Sequence, residues 1–171
     1  MAARVVLFLV LSVVGLAGCA SRHDEVALGR PAGVAENTEL DARAMKPLAA
    51  WVAARMGMAE LPLPRMVASR GALEVTDRRM NLARAGERMR ALYTPGLIVV
   101  APESWAADDP VELSFVVHEL VHHAQTLLGV QAPCRLALEA DAYRLQNAWL
   151  MEQGRPPLYD PAWIEARSAC R

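Results

Sequence analysis

The chain has 171 residues, 22% of them charged, with a formal net charge of −1 and one lysine, Lys46, among its basic residues. That balance leaves no electrostatic footprint for nucleic acid, and no nucleic-acid partner is expected. Hydrophobic residues make up 54% of the sequence, enough for one domain with one core, while the length is too short for two comfortable ones.

At the N-terminus, Arg4 supplies a positive charge and residues 5–15 form an apolar run too short to anchor stably across a bilayer. Small residues follow, the pattern of a signal peptide. It closes on Leu16-Ala17-Gly18-Cys19, which resembles the bacterial lipobox. The resemblance implies cleavage before Cys19, lipidation of its thiol and attachment to the membrane through the N-terminal lipid. Ala20 and Ser21 follow with no aspartate next to the cysteine, which by the same resemblance implies the outer membrane, facing the periplasm. The expected organisation is a lipoprotein signal peptide over residues 1–18, a tether over 19–37 and a folded domain over 38–171. The tether is polar, glycine-bearing and without periodicity, so His23 within it reads as a solvated side chain.

Thr38 to Asp41 reads as a helix start, and Leu40, Ala44, Leu48, Trp51, Val52 and Met56 keep helical spacing up to Gly57, with Pro47 a kink or restart. Leu61-Pro62-Leu63-Pro64 breaks the chain, residues 65–69 are a candidate short strand, and residues 71–87 carry no decisive pattern. Arginines between Arg78 and Arg90 form a local basic cluster, read as a solvated helix face. Residues 89–93 and 97–101 flank Thr94-Pro95-Gly96, where proline presets one turn dihedral and glycine supplies the positive φ of the next. A hairpin is predicted, and its second strand is the most apolar of the mature chain.

Asp109 stands where an N-cap belongs, with Pro110 at the first helical position and Glu112 three residues after the cap, so a helix is predicted from here to about Leu128, before Gly129. Val111, Leu113, Phe115, Val116, Val117, Leu120, Val121, Leu127 and Leu128 make it apolar nearly all round, the pattern of a central buried helix. Yet it carries three of the four histidines, and buried imidazoles demand partners. His118 and His122, four apart, project from one face about one turn from each other and can reach a single Zn2+ ion. Glu119, rotated by roughly 100°, can reach a water held on the metal. This is the His-Glu-x-x-His motif of the zincin metallopeptidases. With 4 His and 12 Glu in the chain, chance placement produces it in roughly 0.6% of such sequences. His123, four residues after Glu119, reads as a hydrogen-bonding residue behind the ligands.

A third ligand is needed. The zincin subclass with a further histidine six residues on would place it at Leu128, with a glycine at Gln125, so that option fails. A carboxylate from the next helical segment, opening at Pro133, is left. Glu139 and Asp141 are the candidates; Tyr143 and Gln146 share the face of Glu139, while Asp141 points about 200° away. Glu139 is the expected ligand, although an exposed glutamate paired with Arg135 is the plainer reading of that position. Two helices with this glutamate after the second histidine resemble the gluzincins, the thermolysin-like subclass. More narrowly, His118-Glu-Leu-Val-His-His-Ala-Gln125, then Cys134, Glu139, Ala142-Tyr143-Arg-Leu-Gln146-Asn-Ala-Trp149 and Cys170, resembles a small family of bacterial exported proteins with a zincin-like domain. The likeness covers roughly residues 40–171, and in that family the glutamate matching Glu139 recurs while the position of Asp141 varies. It implies an α+β fold, with a small, mostly antiparallel sheet packed on a central buried motif helix and a second, ligand-bearing helix. By the same likeness, residues 97–101 would form the sheet edge that holds an extended peptide by strand addition.

Tyr143 can donate to an oxyanion or pack in the core with its hydroxyl bonded to a neighbour, and Tyr93 is a weaker version of the same idea. Trp51, Trp149 and Trp163 read as core and Trp105 as a loop residue. With Cys19 lipidated, Cys134 and Cys170 form an even pair in an oxidising compartment and are expected to be disulfide-bonded. The expected function is a zinc-dependent peptidase of the cell envelope, acting on a peptide or protein substrate through a metal-bound water with Glu119 as base. The alternative is a non-catalytic zinc-binding envelope lipoprotein with a structural or assembly role.

Overall fold

The computed structural model describes residues 34–80, 88–103 and 105–170. The expected signal peptide, Cys19, His23 and part of the basic cluster lie outside the described residues. In chain order the elements are β1 (Thr38–Leu40), α1 (Lys46–Arg55), β2 (Arg65–Ala68), α2 (Arg70–Met80), β3 (Ala91–Thr94), β4 (Leu97–Val100), α3 (Pro110–Leu127), α4 (Glu139–Glu152) and α5 (Pro161–Ser168). The fold is α+β, with a four-stranded sheet in the order β1-β2-β4-β3.

The hairpin forms where the sequence places it, and Gly96 turns it with φ of 80°. The sheet is mixed: the β1–β2 and β3–β4 pairings are antiparallel, as expected of a mostly antiparallel sheet, and β2 pairs parallel to β4. That parallel pairing also corrects the expected edge. Residues 97–101 lie inside the sheet, between β2 and β3, and the edge beside the hairpin is β3. Ile98, Val99 and Val100 are all buried, as a strand covered on both faces requires.

Two local expectations are also corrected. Thr38 begins a strand rather than a helix: Thr38, Glu39 and Leu40 pair with Ala68, Val67 and Met66. Asp41 then caps a short 3-10 turn over Ala42–Met45 by accepting from the Arg43 N–H at 3.0 Å, and α1 restarts with Pro47 in its first turn. The stretch without decisive pattern contains α2, whose start is held from far along the chain. The Glu36 carboxylate accepts from the Arg70 N–H at 2.8 Å and the Gly71 N–H at 3.1 Å, and the Ser69 hydroxyl bonds it at 2.7 Å. Glu36, in the stretch expected to be tether, is thus part of the domain's hydrogen bonding.

The main core gathers Leu48 and Val52 of α1, Met66 of β2, Ile98 of β4, Val116, Val117, Leu120 and Val121 of α3, and Leu150 of α4. Burying a side chain of this kind contributes about 1.5–3 kcal/mol, and α3 supplies the largest share because it is covered on nearly every side. Trp149 joins this core as expected. So does Trp105, which reads in the sequence as a loop residue. Trp51 is only partly buried and donates its indole N–H to Glu152 at 2.7 Å, while Trp163 stacks on Tyr159. A Cys134–Cys170 disulfide joins the segment after α5 to the segment leading into α4.

Candidate metal centre

The ends of α3 are set by local chemistry. Asp109 caps the helix by accepting from the Val111 N–H at 2.8 Å, Pro110 occupies its first turn, and Gly129, at φ of 62°, ends it. Buried Glu112 pairs with Arg90. Alongside α3 runs α4, entered through a 3-10 turn over Arg135–Leu138, with Ala142, Gln146, Trp149 and Leu150 buried. The fully apolar parts of both helices fix their packing. The polar residues of the two facing surfaces are then brought together between them.

His118, His122 and Glu139 meet there. His118 Nε2 lies 3.2 Å from Glu139 Oε2 and 3.2 Å from His122 Nε2, and His122 Nε2 lies 3.4 Å from the same carboxylate oxygen. Among the described residues, this is the group of His, Cys, Asp or Glu side chains whose ligand atoms converge, all within 4.8 Å of one another. Ligand atoms at zinc distances of about 2.0–2.1 Å and tetrahedral angles would stand roughly 3.3–3.4 Å apart. The triangle therefore has the edge lengths of one face of a zinc tetrahedron. Asp141 is absent from it; it is exposed and bonded to Arg144 at 3.3 Å.

Each imidazole is held from behind. His118 Nδ1 is 3.1 Å from Gln146 Oε1, and Gln146 donates its amide N–H to the Ser114 hydroxyl at 3.1 Å, which in turn donates to the Val111 carbonyl at 2.7 Å. His122 Nδ1 is 2.9 Å from Gln125 Oε1, and Gln125 donates to the Leu138 carbonyl at 2.9 Å. Sequence reasoning noted Gln146 only as sharing the face of Glu139 and Gln125 only as not being glycine. Their spacings, seven after Glu139 and three after His122, were the available signals.

Glu119 is 8% exposed, and burial pushes its carboxyl pKa up against the opposing charges of His118 and His122. The backbone N–H of Tyr93 faces this carboxylate and acts to lower its pKa, against burial. His123 stands on the far side of that contact: it is 3.1 Å from the Tyr93 hydroxyl and 2.9 Å from the Pro62 carbonyl, to which it donates. Its link to the site therefore runs through Tyr93 and Glu119 rather than through the ligands. Burial disfavours the charged form of His122, but bonding to Glu139 and the charges of Glu119 and Glu139 outweigh it and raise its pKa to about 9. Burial likewise acts against the Glu139 carboxylate, and its bonds to His118 and His122 overcome this and hold it well below the usual carboxylate range.

Tyr143 packs its ring on His118 at 4.6 Å between centroids and also meets Tyr159 and Trp163. Burial and the neighbouring Glu139 charge push its hydroxyl up to about 12, and Arg167 bonds it. The hydroxyl therefore stays protonated, in an aromatic wall beside the candidate ligands.

No curated protein and no solved structure matches the chain. Over residues 37–171, which include every side chain of the candidate centre, the chain belongs to the family described as Domain of unknown function (DUF6647).

Proposed function

We propose that the chain is a zinc-dependent hydrolase of the gluzincin-like kind, most closely a peptidase, with His118, His122 and Glu139 as its metal ligands. The observation that carries the reading is the triangle of ligand atoms, 3.2 to 3.4 Å on each edge, presented by two facing helices. In the metal-free protein, imidazole protons bridge these atoms to the Glu139 carboxylate, and a zinc ion would take their place. When bound, zinc supplies Lewis-acid activation of water and of a scissile carbonyl.

The chain's own residues supply the rest. Glu119 follows His118 on α3, and its raised pKa suits a group that takes a proton near neutral pH and returns it to a leaving amine. Strand β3, as the edge beside Glu119, is where an extended peptide would add to the sheet. The lipobox at Cys19 supports a protein held by lipid in the bacterial cell envelope, at the periplasmic face of the outer membrane.

The test is metal analysis of the purified protein together with turnover of an unstructured polypeptide. Wild type should take up one zinc per chain and cleave. Glu119→Gln should keep the zinc and lose turnover by about 100- to 10,000-fold. Failure of wild type to take up zinc would end the metal reading. Full zinc occupancy without turnover would favour the non-catalytic zinc-binding lipoprotein instead.

A further inference from the structure

We propose that Gln125 and Gln146 are positioning residues that set the tautomers of His122 and His118, so that Nε2 of each ring is the nitrogen presented to a metal. The inference rests on reading the His118, His122 and Glu139 trio as a metal site. A neutral histidine can carry its proton on either ring nitrogen, and the Nε2–H form would put a hydrogen where the ion must bind.

The direction of every hydrogen bond behind the two rings is fixed by a backbone carbonyl, which can only accept. Val111 C=O takes the Ser114 hydroxyl proton, so the Ser114 oxygen must accept from the Gln146 amide N–H. Gln146 Oε1 is then turned toward His118 Nδ1, which must carry the proton. Leu138 C=O likewise takes the Gln125 amide N–H, so Gln125 Oε1 faces His122 Nδ1 and imposes the same tautomer there. Flipping Gln125 would set its Oε1 against the Leu138 carbonyl oxygen, and flipping Gln146 would set its Oε1 against a Ser114 oxygen whose proton is already given to Val111.

Burial gives these constraints their force. Ser114 and Gln146 are 0% exposed and Gln125 is 4% exposed, so water cannot replace a mismatched partner. A carboxamide also fixes the proton without adding charge, whereas a carboxylate in its place would add a negative group behind each ring. Glu139 therefore remains the one anionic ligand of the trio. Gln125 has a second effect: by holding the Leu138 carbonyl it grips the residue immediately before Glu139, so one side chain sets both a histidine tautomer and the approach of the carboxylate ligand.

The experiment uses 15N-histidine-labelled protein, metal-free, followed through a pH series until both rings are neutral. NMR should show both His118 and His122 as Nδ1–H. Gln146→Leu should release the His118 tautomer alone and Gln125→Leu that of His122. Each should weaken zinc binding about 10- to 100-fold in competition with a chelator, with the fold intact by circular dichroism. Gln146→Glu should restore the Nδ1–H form and zinc affinity. Nε2–H forms in wild type, or leucine variants that hold zinc as tightly as wild type, would overturn the proposal. Both Nδ1–H forms in a wild type that takes up no zinc would uphold the tautomer assignment and overturn the metal reading.

Discussion

Between α1 and the sheet the interior is apolar, built from residues such as Leu48, Val52, Met66 and Ile98, whereas between α3 and α4 it contains Ser114, His118 and Gln146 at 8% exposure or less. Both regions are packed, but they are specified differently. In the first, any side chain of suitable volume satisfies the constraint. In the second, each buried polar atom accepts or donates to a particular partner, so chemical identity matters more than size.

The largest expected effect separates the two faces of α4. Glu139→Ala should lower zinc affinity by several orders of magnitude, with His118→Ala and His122→Ala matching it, while Asp141→Ala leaves it nearly unchanged. Chelator competition measures all four. If Asp141→Ala were the damaging change and Glu139→Ala the silent one, the polar region would have been assigned to the wrong face of the helix.

Next comes the disulfide, which belongs to the polar region because Cys134 begins the segment that enters Glu139. Closing a separation of 36 residues should stabilise the fold by roughly 3–4 kcal/mol. Calorimetry with and without reductant reads that loss, and zinc retention should weaken with it. If reduction left both stability and zinc retention unchanged, the placement of α4 would not depend on this link.

The smallest effect sharpens the contrast. Met66→Leu, a volume-conserving change in the apolar region at a residue 2% exposed, should cost less than about 1.5 kcal/mol and leave zinc affinity at wild-type level. Gln146→Leu is a comparable change of size in the polar region, yet there the metal should weaken. Equal effects of these two changes on zinc would dissolve the distinction.

What the sequence made legible was local. Asp109, Pro110 and Gly129 mark the ends of α3 because capping and turn chemistry act within a few residues, and His118 and His122 share a face by helical spacing alone. Glu139 was reachable because its face is set by its own helix. Pairings between distant segments were not legible. Three residues of β1 find their partner only in β2, and the parallel pairing of β2 with β4 is what makes β3 the edge. Helix α2 was obscured because Leu73 is the one fully buried among its described side chains and its start is capped by Glu36, more than thirty residues earlier. Gln125 and Gln146 belong to the same class: their roles appear only once α3 and α4 face each other.

Strand β3 has one further consequence, for the protein's behaviour in concentrated solution. Exposed strand edges recruit other chains and seed aggregation. In this hairpin the Ala101 N–H bonds the Arg90 carbonyl, and the alternation along the antiparallel pair turns the Tyr93 N–H away from β4, toward the open side. That N–H faces the Glu119 carboxylate, and the Tyr93 hydroxyl is held by His123. A foreign strand pairing along this edge would have to break the contact at Tyr93, in the middle of only four paired residues. An extended substrate segment would have to do the same, so the Glu119 carboxylate opposes any strand, substrate or second copy, that adds along β3.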